Sequence, residues 1–257
     1  MYNVKIIRYI NTVEIETINS AIRTAIDKED NTEKKLLKLL SNEKTNTRII
    51  VQDKERSIKT SIYRTKKSIF QYVRANSWRY FVTFTFNLSV VDSTNYDLVL
   101  KKFKYFINNH LQGMQYILIP ERGHNPQDGK IGKIHFHGLF VDLPENDLFF
   151  TGHYDKKHRK IFQLRSFSKL GFSNITVISD TRKASSYIVK YISKDLGIED
   201  NKKKYWCSRN LNKGAVERLL LRDNEIEEIL KQYGTATRIT NSQTKYNTYT
   251  YYQFDIN

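Results

Sequence analysis

Lys133-Ile134-His135-Phe136-His137-Gly138-Leu139-Phe140 decides how this chain is read. Its apolar residues and lack of helix punctuation predict a strand running from Ile134 to Leu143. Side chains on a strand alternate between faces, so His135 and His137 share one face and can grip a single cation. The strand just upstream, Tyr116 to Glu121, is joined to this one through turn formers between Gly123 and Gly132. A long hairpin therefore makes Glu121 a neighbour of His135.

Working outward, Phe81-Val82-Thr83-Phe84-Thr85-Phe86 reads as another strand, Tyr96 to Leu111 as an amphipathic helix, and Asn174 to Ile178 as a further strand. A helix is expected from about Lys183 to Lys194, ended by Gly197. Strand and helix patterns in this order predict an α+β fold, a central antiparallel sheet flanked by helices. Residues 77–198 form this core. Before it, 1–76 contain no glycine or proline and many charges, and read as a basic helical N-terminal extension. Leu36, Leu37, Leu39 and Leu40 mark one helix there, and Ile58, Ile62, Ile69, Tyr72 and Val73 another. Residues 199–257 read as a C-terminal segment packing on the core, with a helix from about Ala215 to Tyr233 and a strand over Tyr246–Tyr252.

The 257 residues carry 43 Lys and Arg against 27 Asp and Glu, a formal charge of +16. Such a balance points to a polyanionic partner, nucleic acid first. No run of about 18 apolar residues suggests a membrane span, and the first residues lack a signal peptide's apolar core. The expected location is therefore the cytoplasm. Cys207 is the only cysteine, so a metal site within one chain must use imidazole and oxygen ligands. No Gly-rich loop ending in Lys-Ser/Thr is present, which argues against an ATP-driven motor.

Two neutral imidazoles and a carboxylate, His135, His137 and Glu121, suit Mn²⁺ or Mg²⁺ with positions left for substrate, although non-haem Fe(II) oxygenases use the same set. The segment Tyr187-Ile188-Val189-Lys190-Tyr191-Ile192-Ser193-Lys194 tips the balance. Its tyrosines lie one helical turn apart, and Lys190 shares a face with Tyr187, where a cation favours the phenolate. Tyr187 can then attack a phosphate in line and expel a 3′-hydroxyl, with Tyr191 a second candidate nucleophile. An isolated His-x-His or an i, i+4 tyrosine pair is commonly structural. Their joint occurrence downstream of Glu121 in a basic chain favours chemistry.

Four segments resemble the HUH endonuclease superfamily, in particular the rolling-circle replication initiators of bacterial plasmids and small single-stranded DNA phages. They are Trp78 to Phe86, Lys133 to Phe140, Tyr187 to Lys194, and Tyr205-Trp206-Cys207-Ser208-Arg209-Asn210-Leu211. The resemblance implies a sheet of about five strands, metal ligands at His135, His137 and Glu121, and Tyr187 as the main nucleophile. It also implies a sequence-specific nickase and strand transferase acting on single-stranded or supercoiled origin DNA in a bacterial host, alongside a host helicase and DNA polymerase. A relaxase places its tyrosine before the histidine motif, and a transposase of this type takes its extra ligand from near the tyrosine. A non-catalytic nucleic-acid-binding module would bind without a covalent adduct. Arg122, Lys130, Lys133, Lys194 and Arg209 are the expected DNA contacts near the site. The basic stretch 153–169 reads either as a DNA-binding insert or as a solvated loop.

Overall fold

The computed structural model describes residues 1–23, 47–123, 132–179, 188 and 203–256. In chain order these form β1 (Tyr2–Arg8), β2 (Thr12–Ile22), α1 (Thr47–Arg74), β3 (Tyr80–Phe86), α2 (Tyr96–His110), β4 (Tyr116–Arg122) and β5 (Ile134–Phe140). There follow β6 (Leu148–Tyr154), β7 (Lys160–Leu164), β8 (Gly171–Val177), β9 (Trp206–Cys207) and β10 (Ala215–Leu219). α3 (Asp223–Gln232), β11 (Arg238–Gln243) and β12 (Thr248–Asp255) complete the described chain. They divide into two compact units, one of residues 1–61 and 213–257, the other of 62–212.

The first unit is a five-stranded antiparallel sheet in the order β10-β1-β2-β12-β11. Val4 and Ile6 of β1, Val13 and Ile15 of β2, and Phe254 of β12 are buried, and Ile226, Ile229 and Leu230 of α3 pack against them. The helical N-terminal extension is corrected here: the first 22 residues are a hairpin. Val13-Glu14-Ile15-Glu16 alternates with period two, and its β-branched residues pack well on a pleated surface. The helical reading holds in α1, where Ile69 and Val73 are buried. Leu36 to Leu40 lie outside the described residues.

The expected helix over 215–233 begins only at Asp223, because Ala215–Leu219 is taken up as β10 on the edge of β1. Arg8 Nη1 donates to Glu217 Oε2 at 2.7 Å across that pair. Helix start is fixed by Arg222, whose backbone N–H donates to Glu225 Oε2 at 2.7 Å. The strands of the C-terminal segment thus pair with the N-terminal hairpin.

The second unit holds the core expected over 77–198. Its antiparallel sheet has seven strands rather than about five, in the order β6-β7-β8-β3-β5-β4-β9. The additions are the hairpin β6–β7, built from part of the basic 153–169 stretch, and the two-residue β9. Tyr80–Phe86 alternates strictly between buried and half-buried positions. Val82, Phe84 and Phe86 point to one face, where Phe103 and Phe106 of α2 meet them together with Phe136 and Phe140 of β5. The opposite face carries Ile117, Ile119 and Leu139, covered by Ile69 and Val73 of α1, by Trp78 and by Ile188. Trp78 Nε1 donates to the Val73 carbonyl at 2.8 Å, tying α1 to the strand that follows. Gly138, inside the histidine strand, is required by close approach: a Cβ there would stand 2.5 Å from Leu118 Cδ2 and 3.0 Å from the Ile117 carbonyl oxygen.

Candidate active site

Strand β5 lies between β3 and β4, and register decides what meets the histidines. Thr85, His135 and Glu121 form one row across the three strands; Thr83, His137 and Ile119 form the next. Directly paired side chains of an antiparallel sheet share a face with Cβ atoms about 5 Å apart. Glu121 therefore lies opposite His135, as the hairpin predicts, and its carboxylate reaches diagonally to hydrogen-bond His137 Nε2. On the far side of each ring, Thr83 Oγ1 is 3.0 Å from His137 Nδ1, and Thr85 Oγ1 is 3.0 Å from His135 Nδ1. Phe81 stacks on the His137 ring with centroids 6.2 Å apart and planes 15° apart. His137 is buried, while Glu121 keeps a fifth of its side chain exposed.

Burial pushes the His135 pKa below the ordinary imidazole value, and His137 and Lys133 push the same way against the opposing pull of Glu121. A neutral ring keeps a lone pair for a ligand. The unfolded chain consequently takes up a proton first as pH falls through about 6.5, so the folded state loses stability on acidification. We expect the unfolding free energy of the wild type to fall more steeply between about pH 7.5 and 5 than that of His135→Gln, measured by denaturant titration. Parallel pH profiles would refute this assignment.

Among the described residues, no three His, Cys, Asp or Glu side chains converge closely enough to hold a metal ion as they stand. The groups that would do so, His137 Nε2 and the Glu121 carboxylate, are engaged with each other. Tyr187, Lys190, Tyr191, Lys194 and Lys130 lie outside the described residues. Ile188 is helical and fully buried against Ile117, Ile119 and Leu139, the face that carries the histidines.

The expected DNA contacts divide. Lys133 is exposed one residue before β5, and Arg209 is exposed in the turn after β9. Arg122 is committed to the backbone: its Nη1 donates to the carbonyls of Thr94 and Gly132, both at 3.0 Å. The sequence reading missed Thr83, Thr85 and Phe172. Phe172 pairs with Thr85 on β8, which extends the row Glu121-His135-Thr85 by an aromatic ring 52% exposed. Its signal was an aromatic at an outward position of a strand next to the histidine pair; that of the threonines was their two-residue spacing, matching His-x-His.

No helix of the described residues is long and apolar enough to cross a membrane. No curated protein and no solved structure matches the chain. Residues 79–196, a little under half of the chain and the stretch that holds Glu121, both histidines and the tyrosine segment, match a family model described as Replication-associated protein of the ORF2 type, so this segment is similar to Rep-type replication proteins.

Proposed function

We propose that the protein initiates replication by nicking one DNA strand through a tyrosine, as an HUH-type endonuclease. The observation that carries the reading is the presentation of His135 and His137 on one sheet face beside Glu121, within the segment that matches a replication-associated family. The burial of Ile188 on that face supports it, because Tyr187 precedes Ile188 by one peptide unit of about 3.8 Å.

His135, His137 and Glu121 would hold Mg²⁺ or Mn²⁺. Both Nδ1 atoms have threonine partners, which leaves Nε2 to serve as the ligand atom of each ring. Opening the contact between Glu121 and His137 supplies the carboxylate, a mixed nitrogen and oxygen set acceptable to Mn²⁺. A cation bound there draws negative charge from a phosphate oxygen.

Tyr187, its phenolate favoured by Lys190, attacks the scissile phosphorus. The bond from phosphorus to the 3′-oxygen breaks, and that oxygen takes up the proton the tyrosine gave up. The products are a 5′-phosphotyrosine and a free 3′-hydroxyl, and the reverse attack rejoins the strand. Tyr191 serves as the second acceptor for strand transfer. Single-stranded or supercoiled origin DNA is the substrate, with Lys133, Lys130, Lys194 and Arg209 drawing on its phosphates. A chain without a nucleotide-binding loop depends on a host helicase and DNA polymerase to use the 3′ end.

Incubation with labelled single-stranded oligonucleotides from the protein's own replicon, with Mn²⁺ or EDTA, tests this on a denaturing gel. A Mn²⁺-dependent covalent adduct should form with the wild type and vanish in Tyr187→Phe. Tyr191→Phe should still form the first adduct but fail in strand transfer. Tight DNA binding without any adduct would replace the nickase by a binding module.

A further inference from the structure

We propose that Thr83 and Thr85 are positioning residues that hold the two imidazoles in place and let each ring carry its proton on either nitrogen; the inference rests on the metal-dependent nickase reading above. Each threonine sits directly opposite one histidine in the β3–β5 register, and each Oγ1 lies 3.0 Å from an Nδ1. The same geometry occurs twice, two residues apart on both strands. A third residue of that face of β3, Phe81, stacks on the His137 ring and limits its tilt.

The choice of a hydroxyl matters. A neutral imidazole has one N–H, and the partner of one ring nitrogen decides which nitrogen carries it. A carbonyl or carboxylate beside Nδ1 accepts only, and would keep the hydrogen there. A threonine hydroxyl both donates and accepts. While it donates to Nδ1, the hydrogen sits on Nε2, and His137 gives that hydrogen to Glu121. When the hydroxyl instead accepts from Nδ1–H, Nε2 turns a lone pair outward and Glu121 is released. The ring need not move, and its net protonation is unchanged: one hydrogen leaves Nε2 and one arrives at Nδ1. The contact between Glu121 and His137 and the cation-holding arrangement are then two states of one rigid framework.

The competing account is that Thr83 and Thr85 are present because β-branched residues suit a strand. That role needs no hydroxyl, and valine would fill it with nearly the same shape. Thr83→Val/Thr85→Val in the full chain therefore separates the two. Mn²⁺ affinity, read from the electron paramagnetic resonance of free Mn²⁺ during titration, should fall about 10- to 100-fold in this double variant. Thr83→Ser/Thr85→Ser restores the hydroxyls without the methyls, and should bind within about threefold of the wild type, by the same comparison.

The nitrogen-15 spectrum of the histidines supplies a readout that strand propensity does not move. In the wild type, His137 should pass from Nε2–H to Nδ1–H when Mg²⁺ is added, whereas the valine variant should show a mixture. Wild-type Mn²⁺ affinity and an unchanged spectrum in the valine variant would overturn the role of the threonines alone. Failure of the serine variant to recover would do the same, since shape rather than the hydroxyl would be at work. A wild type that binds no Mn²⁺ would sink the nickase reading and this inference with it.

Discussion

Removing both imidazoles, as His135→Ala/His137→Ala, should slow formation of the covalent adduct by about a thousandfold, equivalent to ~4 kcal/mol of barrier. Binding of single-stranded DNA should change by less than about threefold, because phosphate contacts from lysine and arginine dominate affinity. The two effects come apart since the rings occupy one small part of one face, between the rows of Thr85 and Glu121. His137→Ala alone should be the more damaging single change. It removes the ring buried under Phe81, and leaves the Glu121 carboxylate without its imidazole partner. Adduct yields and thermal midpoints measured on the same preparations check both statements. A double variant that cleaves within about tenfold of the wild type would show that these histidines take no part in the chemistry.

Phe84→Ala should cost about 3–5 kcal/mol of stability, the range for deleting a fully buried aromatic ring. Phe84 is completely buried at the centre of the seven-stranded sheet, with ring centroids 4.9 Å from Phe103, 4.8 Å from Phe167, 6.1 Å from Phe106 and 6.2 Å from Phe140. These neighbours come from α2, from β5 and from the turn before β8, so no single element can shift to fill the space. Against a typical total of about 5–15 kcal/mol, such a loss leaves little margin. Phe150→Ala provides the control. That ring is 40% exposed on the outermost strand, and its loss should cost about 1 kcal/mol or less. Urea unfolding of both variants distinguishes them, and equal midpoints would contradict the packing described for Phe84.

The elements around the site were legible because their signals are local. Alternation in Phe81–Phe86, the amphipathic run from Tyr96 and the turn formers after Gly123 each act within a few residues, and the resulting hairpin places Glu121 across from His135. Pairings between distant segments were not legible. Thr83 and Thr85 acquire their partners only through the register of β3 on β5, and a slip of one residue would turn them to the other face. Distance hid the first unit too. Tyr2–Arg8 and Ala215–Leu219 are short apolar runs that suit a helix or a strand equally, and each is a strand because the other is available to pair.

That pairing also sets an order of assembly. Val4 of β1 meets Leu219, and Val13 of β2 meets Phe254, so the opening hairpin finds its flanking strands only near the far end of the chain. At ribosomal speeds that wait lasts roughly 10 to 40 s. The unit bearing the histidines, residues 62–212, is by then fully synthesised. The part of the chain that is made first is thus finished last, and during that interval Val4, Ile6, Val13 and Ile15 lack the apolar cover that β12 and α3 bring.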